Sequence, residues 1–301
     1  MPDSRSTDIG RLIELARAQA GAPGEWSLAT HPQWLERMYV GAGVVTRVWT
    51  LPAGSLAGSA AIHTAASDPP GGPDVATVTS MLRAGHEELW DTQREWVETV
   101  LDQAANATPD AMVHVVSESL HDAEVARWSS LGFRLAFEEL AMELDLTLDV
   151  GSPPPPWPGG ARVLEWGPDA LAASFAVYEA AFRDRPGFPG WSQSEWADRL
   201  AGGDDFLAEA SLCVFVDDAP SGFVVCSTGW IDQVGVIPAR RRAGLASRLV
   251  TEAARRMRAG GGTVARLHVN TNNAAALAAW RAMGWRIVGR RGRFERRVVP
   301  L

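Results

Sequence analysis

Lysine is absent from this chain, and all 28 basic residues are arginine. So complete a bias is read as composition, the mark of GC-rich coding, before it is read as chemistry. Cysteine is almost as scarce. Cys213 and Cys226 lie inside the apolar stretches SLCVFV and FVVCST, which excludes a disulfide framework and suits two small core residues in a reducing cytosol. No window reaches the roughly 18 apolar residues of a membrane span, and the polar start MPDSRSTDIG is followed by no apolar core. A soluble, cytoplasmic protein is expected, with no membrane partner. No Cys/His/Asp cluster has metal-ligand spacing, and neither a G-x-S-x-G nor a Walker pattern is present, which argues against a metal site and against a nucleotide hydrolase. Positive charge is also in deficit, at a net −8, so nucleic acid is disfavoured and a cationic small-molecule amine would be drawn in.

What is present is concentrated in residues 234–249, VGVIPARRRAGLASRL. An apolar strand runs through a Pro-Arg-Gly turn into an amphipathic helix. Gly244 and Ala246 leave little side chain at the helix entrance, so the backbone N–H groups of residues 242–247 can converge on one anion with the helix dipole behind them. A pyrophosphate suits such a cradle, and Arg240, Arg241 and Arg242 flank it with charge-assisted donors. Along the helix, Leu249, Val250, Ala253 and Met257 form one face and Arg248, Glu252, Arg255 and Arg256 the other, up to the stop at Gly260-Gly261-Gly262.

At 301 residues the chain suits two domains of about 150 each. Residues 151–160, GSPPPPWPGG, read as a stiff spacer because successive prolines bar both helix and sheet interior. The expected division is residues 1–148, a linker at 149–161, and residues 162–301. Trp128-x-x-x-Gly132-Phe133 mirrors Trp280-x-x-x-Gly284-Trp285, 152 positions on, so both halves are expected to share one fold. In each half a periodic helix (residues 9–20; residues 169–182) precedes strand-like runs (residues 44–49; residues 212–216), which indicates an α/β class with mixed sheets flanked by helices. The halves differ chemically. Residues 89–94, LWDTQR, stand where the cradle would recur, without glycine and behind Glu87 and Glu88.

Arg241-x-x-Gly244-x-Ala246, with Pro238 ahead of it, resembles the acyl-CoA pyrophosphate signature of the GNAT N-acetyltransferase superfamily. The strand at Leu267-His268-Val269 and the run Asn273-x-x-Ala276-x-x-x-Trp280-x-x-x-Gly284-Trp285 resemble the family's next strand and helix. Within the superfamily, VGVIPARRRAGLA and LHVNTNNAAALAAWRAMGW are most similar to the tandem two-domain type of mycothiol synthase and its actinobacterial relatives. The resemblance implies two tandem GNAT-like domains, the first degenerate, and acetyl-CoA or another acyl-CoA as co-substrate. It implies transfer to a small amine, and cofactor contacts at Val234, Val236, Arg241, Arg242, Ala243, Gly244, Leu245, Ala246, Ser247, Asn273 and Trp280.

Acyl transfer to an amine needs an oriented carbonyl, a deprotonated amine and a proton for the leaving thiolate. The resemblance makes Val236 N–H the candidate oxyanion donor. Strand alternation places Trp230, Asp232, Val234 and Val236 on one face, where Asp232 is the ionisable group and the candidate base. Trp230 stands where the family commonly has its Glu, and Trp280 where it has its Tyr acid. Mycothiol synthesis itself is therefore not expected, and the proton donor stays open among Tyr178, Ser247, His268 and water. Phe182, Trp191, Trp196 and Trp230 are the expected acceptor-binding residues, with a capped helix carrying a hydrophobic staple as the structural alternative for part of that pattern. Two further readings stay open: a non-catalytic acyl-CoA binder, and other acyl-CoA chemistry such as decarboxylation. Either a monomer or a homodimer is compatible with the sequence.

Overall fold

The computed structural model describes residues 8–19, 32–41, 43–65, 75–107, 112–148, 157–184 and 188–297. Four prolines of the expected spacer lie outside them. The chain divides into two compact units. The first comprises residues 1–141, 270–272 and 288–301, and the second residues 142–269 and 273–287. Each unit thus draws on distant stretches of chain.

The first unit begins with α1 (Ile9–Arg17), capped by Asp8 on Gly10 N–H at 2.9 Å, and α2 (Pro32–Tyr39). Strands β1 (Val44–Thr50), β2 (Leu56–Ala65) and β3 (Val75–Leu82) form an antiparallel meander. Then come α3 (Trp90–Ala107), β4 (Met112–Ser117) parallel to β3, α4 (Asp122–Ser130) and the long β5 (Arg134–Asp145). Alternation along the strands sends Val78, Val113 and Val115 to one face, with Val97, Leu101 and Trp128 from the helices. Ala61 and Met81 go to the other, under Leu12, Leu15, Leu35 and Tyr39.

The second unit carries β6 (Ala161–Glu165), α5 (Pro168–Phe182), α6 (Gln193–Ala201), β7 (Leu212–Val216), β8 (Ala219–Ser227) and β9 (Trp230–Val236). It continues through α7 (Leu245–Ala259), β10 (Val264–Asn270) and α8 (Ala274–Ala282). Its sheet runs β10-β9-β8-β7-β6, antiparallel except for β9 with β10. Helices α5 and α6 cover one face with Val177, Tyr178 and Trp196 on Phe223 and Val225. Helix α7 covers the other: a Cβ added at Gly222 would lie 2.9 Å from Leu249. The last strand, β11 (Arg286–Arg297), continues into the first unit and pairs antiparallel with β4 from Gly292 to Arg297.

The internal repeat is visible in the side chains. Asn273 Oδ1 caps α8 on Ala276 N–H at 3.2 Å, and 152 positions earlier His121 Nδ1 caps α4 on Glu124 N–H at 3.3 Å. Arg286 bonds Glu143 at 2.8 Å within the second unit, and the equivalent Arg134 bonds Glu295 within the first. Two units of mixed sheet flanked by helices is the expected fold class.

Candidate active site

The cradle lies in the second unit, between β9 and α7. Pro238 opens a single 3-10 turn, Pro238–Arg240, after which the chain alternates between extended and left-handed residues. Arg242 has φ +64° and Gly244 φ +74°. An arginine in that region costs about 1 kcal/mol, a strain that clusters at functional sites. The N–H groups of residues 242–247 find no acceptor among the described residues. The first helical bond of α7 is Arg248 N–H to Gly244 O at 3.0 Å. Unpartnered donors at a helix N-terminus suit a pyrophosphate.

The neighbouring side chains divide the work. Arg241 does not project toward an anion. Its Nε donates to Val236 O at 3.3 Å and its Nη2 to Ala181 O at 2.9 Å, fastening the turn to β9 and α5. Arg240 pairs with Asp217 at 2.7 Å, whereas Arg242 is exposed. Leu245 is buried and seats the first turn of α7, while Ala243 is exposed, Ala246 half-buried, and Ser247 accepts from Thr251 Oγ1 at 2.9 Å.

Beside the cradle the sheet opens. Strand β10 follows β9 only through Arg266–Trp230 and Leu267–Ile231, and then the strands part. Ile237 N–H donates to Ser221 O at 3.1 Å, toward β8. Backbone alternation therefore points the N–H groups of Val236 and Val234 to the opposite edge, which β10 has left.

A bulge in β9 corrects the expected side-chain alternation. Ser227 pairs with Trp230, Cys226 with Ile231 and Val225 with Gln233, so Asp232 is an extra residue without a partner across the ladder. The slip puts Trp230 on the face of Gln233 and Gly235, not on that of Val234 and Val236. Gln233 accepts from Trp196 Nε1 at 3.0 Å, and a Cβ on Gly235 would meet Phe182 at 3.1 Å, which marks this face as the one under α5 and α6. Asp232 turns toward it as well, accepting from Ser227 Oγ at 3.1 Å. Asp232 is exposed as a residue, while protein packs around its carboxyl. Burial pushes its pKa up to about 7, the Asp205 charge adds to the rise, and the Ser227 hydrogen bond opposes it.

The expected acceptor residues fall into two groups. Trp196 has no accessible surface and its indole N–H is spent on Gln233, so it is a core residue. Its helix begins with the capping box of Ser192 and Glu195. Trp230 is buried and stacks on His268, ring centroids 4.8 Å apart. Phe182 and Trp191 are only half-buried and flank Tyr178, with Arg199 4.6 Å above the Trp191 ring. Trp280 is buried, and Asn273 serves as the cap of α8. Sequence reasoning missed Ser227, Asp205 and the bulge. The signal was the two-residue turn Thr228-Gly229, with Gly229 at φ +77°, which fixes Ser227 opposite Trp230.

The equivalent region of the first unit is built differently. A 3-10 turn, Glu87–Leu89, leads straight into α3, and no described residue from 86 to 94 has positive φ. Strand β3 pairs with β2 without a bulge, and Gln93 Nε2 reaches across to Met81 O at 2.9 Å and Ser59 O at 3.1 Å. Trp90 stands edge-on to Trp128 at 4.9 Å, and both line a cavity of about 20 Å³, room for about one water. Among the described residues no cluster of His, Cys, Asp or Glu could hold a metal ion, and no helix is long and apolar enough to cross a membrane.

Residues 175–285 match the profile of the Acetyltransferase (GNAT) family, a stretch that contains the cradle, the bulge and the opened sheet. The match covers that part of the second unit. Solved structures share the fold over nearly the whole chain. A GCN5-related N-acetyltransferase from Sphaerobacter thermophilus is 18% identical with a TM-score of 0.74, over 98% of this chain and 95% of that one. A tandem GNAT protein from the clavulanic acid biosynthesis pathway is 14% identical with a TM-score of 0.61, over 96% and 94%. A GNAT-family acetyltransferase from Colwellia psychrerythraea is 13% identical with a TM-score of 0.54, over 96% and 97%. No curated protein is significantly similar to the chain.

Proposed function

We propose that the chain transfers an acetyl or other acyl group from CoA directly to a small cationic amine, in its second unit. The observation that carries this reading is the juxtaposition of an anion cradle with free N–H groups, an opened β9 edge, and the Asp232 carboxylate on one strand-turn-helix segment. When bound, acetyl-CoA supplies the activated acyl group. The N–H groups of residues 242–247 hold its pyrophosphate, Val236 N–H faces the acyl oxygen, and Asp232 takes the amine proton. With a pKa of about 7 that carboxylate is matched to the task near neutral pH. Phe182 offers ring surface to an amine or its apolar portion, Trp191 being already faced by Arg199 and Tyr178, and the chain's net charge of −8 favours a cation. Trp280, where mycothiol synthase-like proteins are expected to place an acid, is buried and its indole N–H is too weak an acid to protonate a thiolate, so the acceptor is a different amine and the thiolate leaves without a side-chain acid from this position. The first unit is a degenerate copy that holds no CoA.

The test is a panel of small primary amines incubated with acetyl-CoA, with N-acetyl products read by mass. Formation by the wild type and a loss of 100-fold or more in Asp232→Asn is expected, the usual size of a general-base contribution. Equal rates in the two proteins would remove Asp232 from the mechanism, and CoA binding with no product from any amine would favour a non-catalytic binder.

A further inference from the structure

The geometry points to Ser227 as a positioning residue that fixes the orientation of the Asp232 carboxyl. This rests on the reading of Asp232 as the base. Ser227 is buried and donates from Oγ to Asp232 Oδ1 at 3.1 Å. Its own backbone is held from two sides. It pairs with Trp230 across the Thr228-Gly229 turn, and it bridges Phe206 on the segment leading into the 3-10 turn Ala208–Ala210. Around that bridge Leu207 N–H donates to Cys226 O at 2.9 Å and Thr228 N–H to Asp205 O at 2.7 Å. A hydroxyl on so fixed a backbone can hold the carboxylate in one rotamer, together with the backbone N–H groups of Ser227 and of Asp232 itself.

The hydroxyl also acts on charge. As a donor it favours ionised Asp232, whereas Asp205, on the clamping segment, disfavours it, so the two neighbours pull the proton affinity in opposite directions. The backbone N–H groups of Ser227 and of Asp232 itself also favour the ionised form, and side-chain substitution at Ser227 leaves them in place. Arg266 on β10 is engaged by Glu143 at 3.1 Å, His268 stacks on Trp230, and the Cys226 thiol is deeply buried with its pKa raised by burial.

The measurement needs no acceptor. In the full chain with carboxyl-labelled aspartate, the carbon signal that vanishes in Asp232→Asn is followed against pH. In Ser227→Ala its midpoint should rise by about one pH unit, the scale of one hydrogen bond to a charged group. Ser227→Thr should restore the wild-type midpoint, and Asp205→Asn should lower it. A midpoint unchanged or lowered in Ser227→Ala overturns the assignment, as does a Ser227→Thr midpoint that stays with that of Ser227→Ala. Failure of the catalytic reading would appear elsewhere, as undiminished acetyl transfer by Asp232→Asn whatever its neighbours do to the titration.

Discussion

Asp232 shows how much one side chain can carry and how little of that is visible in its identity. Its carboxyl has a pKa raised from the ordinary 3.8 to about 7, so the folded state holds the proton more tightly than the unfolded chain does. The stability linked to this group is therefore complete below about pH 4 and is lost as pH rises to about 7. Asp232→Asn should accordingly melt at the same temperature as the wild type near pH 4 and higher than it at pH 8, while losing transfer activity. Melting scans at the two pH values check this, and a variant less stable at pH 8 would mean the carboxylate supports the fold. The residue type, and its place among apolar neighbours, were legible in the sequence. That setting suggested a raised proton affinity, but the face the residue occupies was not legible, because a one-residue bulge reverses alternation and nothing in Trp230-Ile231-Asp232-Gln233 announces it. Trp196 is a similar case. An aromatic beside an acidic residue fits a binding surface and a buried staple equally, and only its bond to Gln233 separates them.

At the scale of the element, the turn from β9 into α7 was the most readable part of the chain because each residue there answers a backbone demand. Pro238 starts the 3-10 turn, Gly244 takes the left-handed N-cap, and Leu245 seats the helix. What the sequence hides is Arg241. Its spacing suggests a phosphate ligand, yet its guanidinium bonds two carbonyls and serves as a strut. Gly244 is needed for its conformation and not for space, since a Cβ there would meet nothing within 4 Å. Gly244→Ala should thus fold normally and bind acetyl-CoA roughly fivefold more weakly, the equivalent of about 1 kcal/mol of left-handed strain. An unchanged affinity in calorimetry would show that the loop binds in another conformation.

At the scale of the whole chain, the sequence repeat is a structural one, since the His121 and Asn273 caps and the Arg134 and Arg286 ion pairs recur at equivalent positions. The repeat did not reveal that both units are assembled from distant stretches, because strand periodicity shows that β5 and β11 exist and not which unit each one completes. Nor are the copies chemically equivalent. Among the described residues only the second has the glycine turn, a bulge on the strand before the cradle and parted strands, whereas the first closes the same region with Gln93, Trp90 and Trp128. Calorimetric titration of the intact chain with acetyl-CoA, beside Gly244→Glu, bears on this difference most directly. One equivalent bound by the wild type and none by the variant is predicted, because a carboxylate in the second unit's cradle would repel the pyrophosphate. Two equivalents, or one that survives Gly244→Glu, would contradict it.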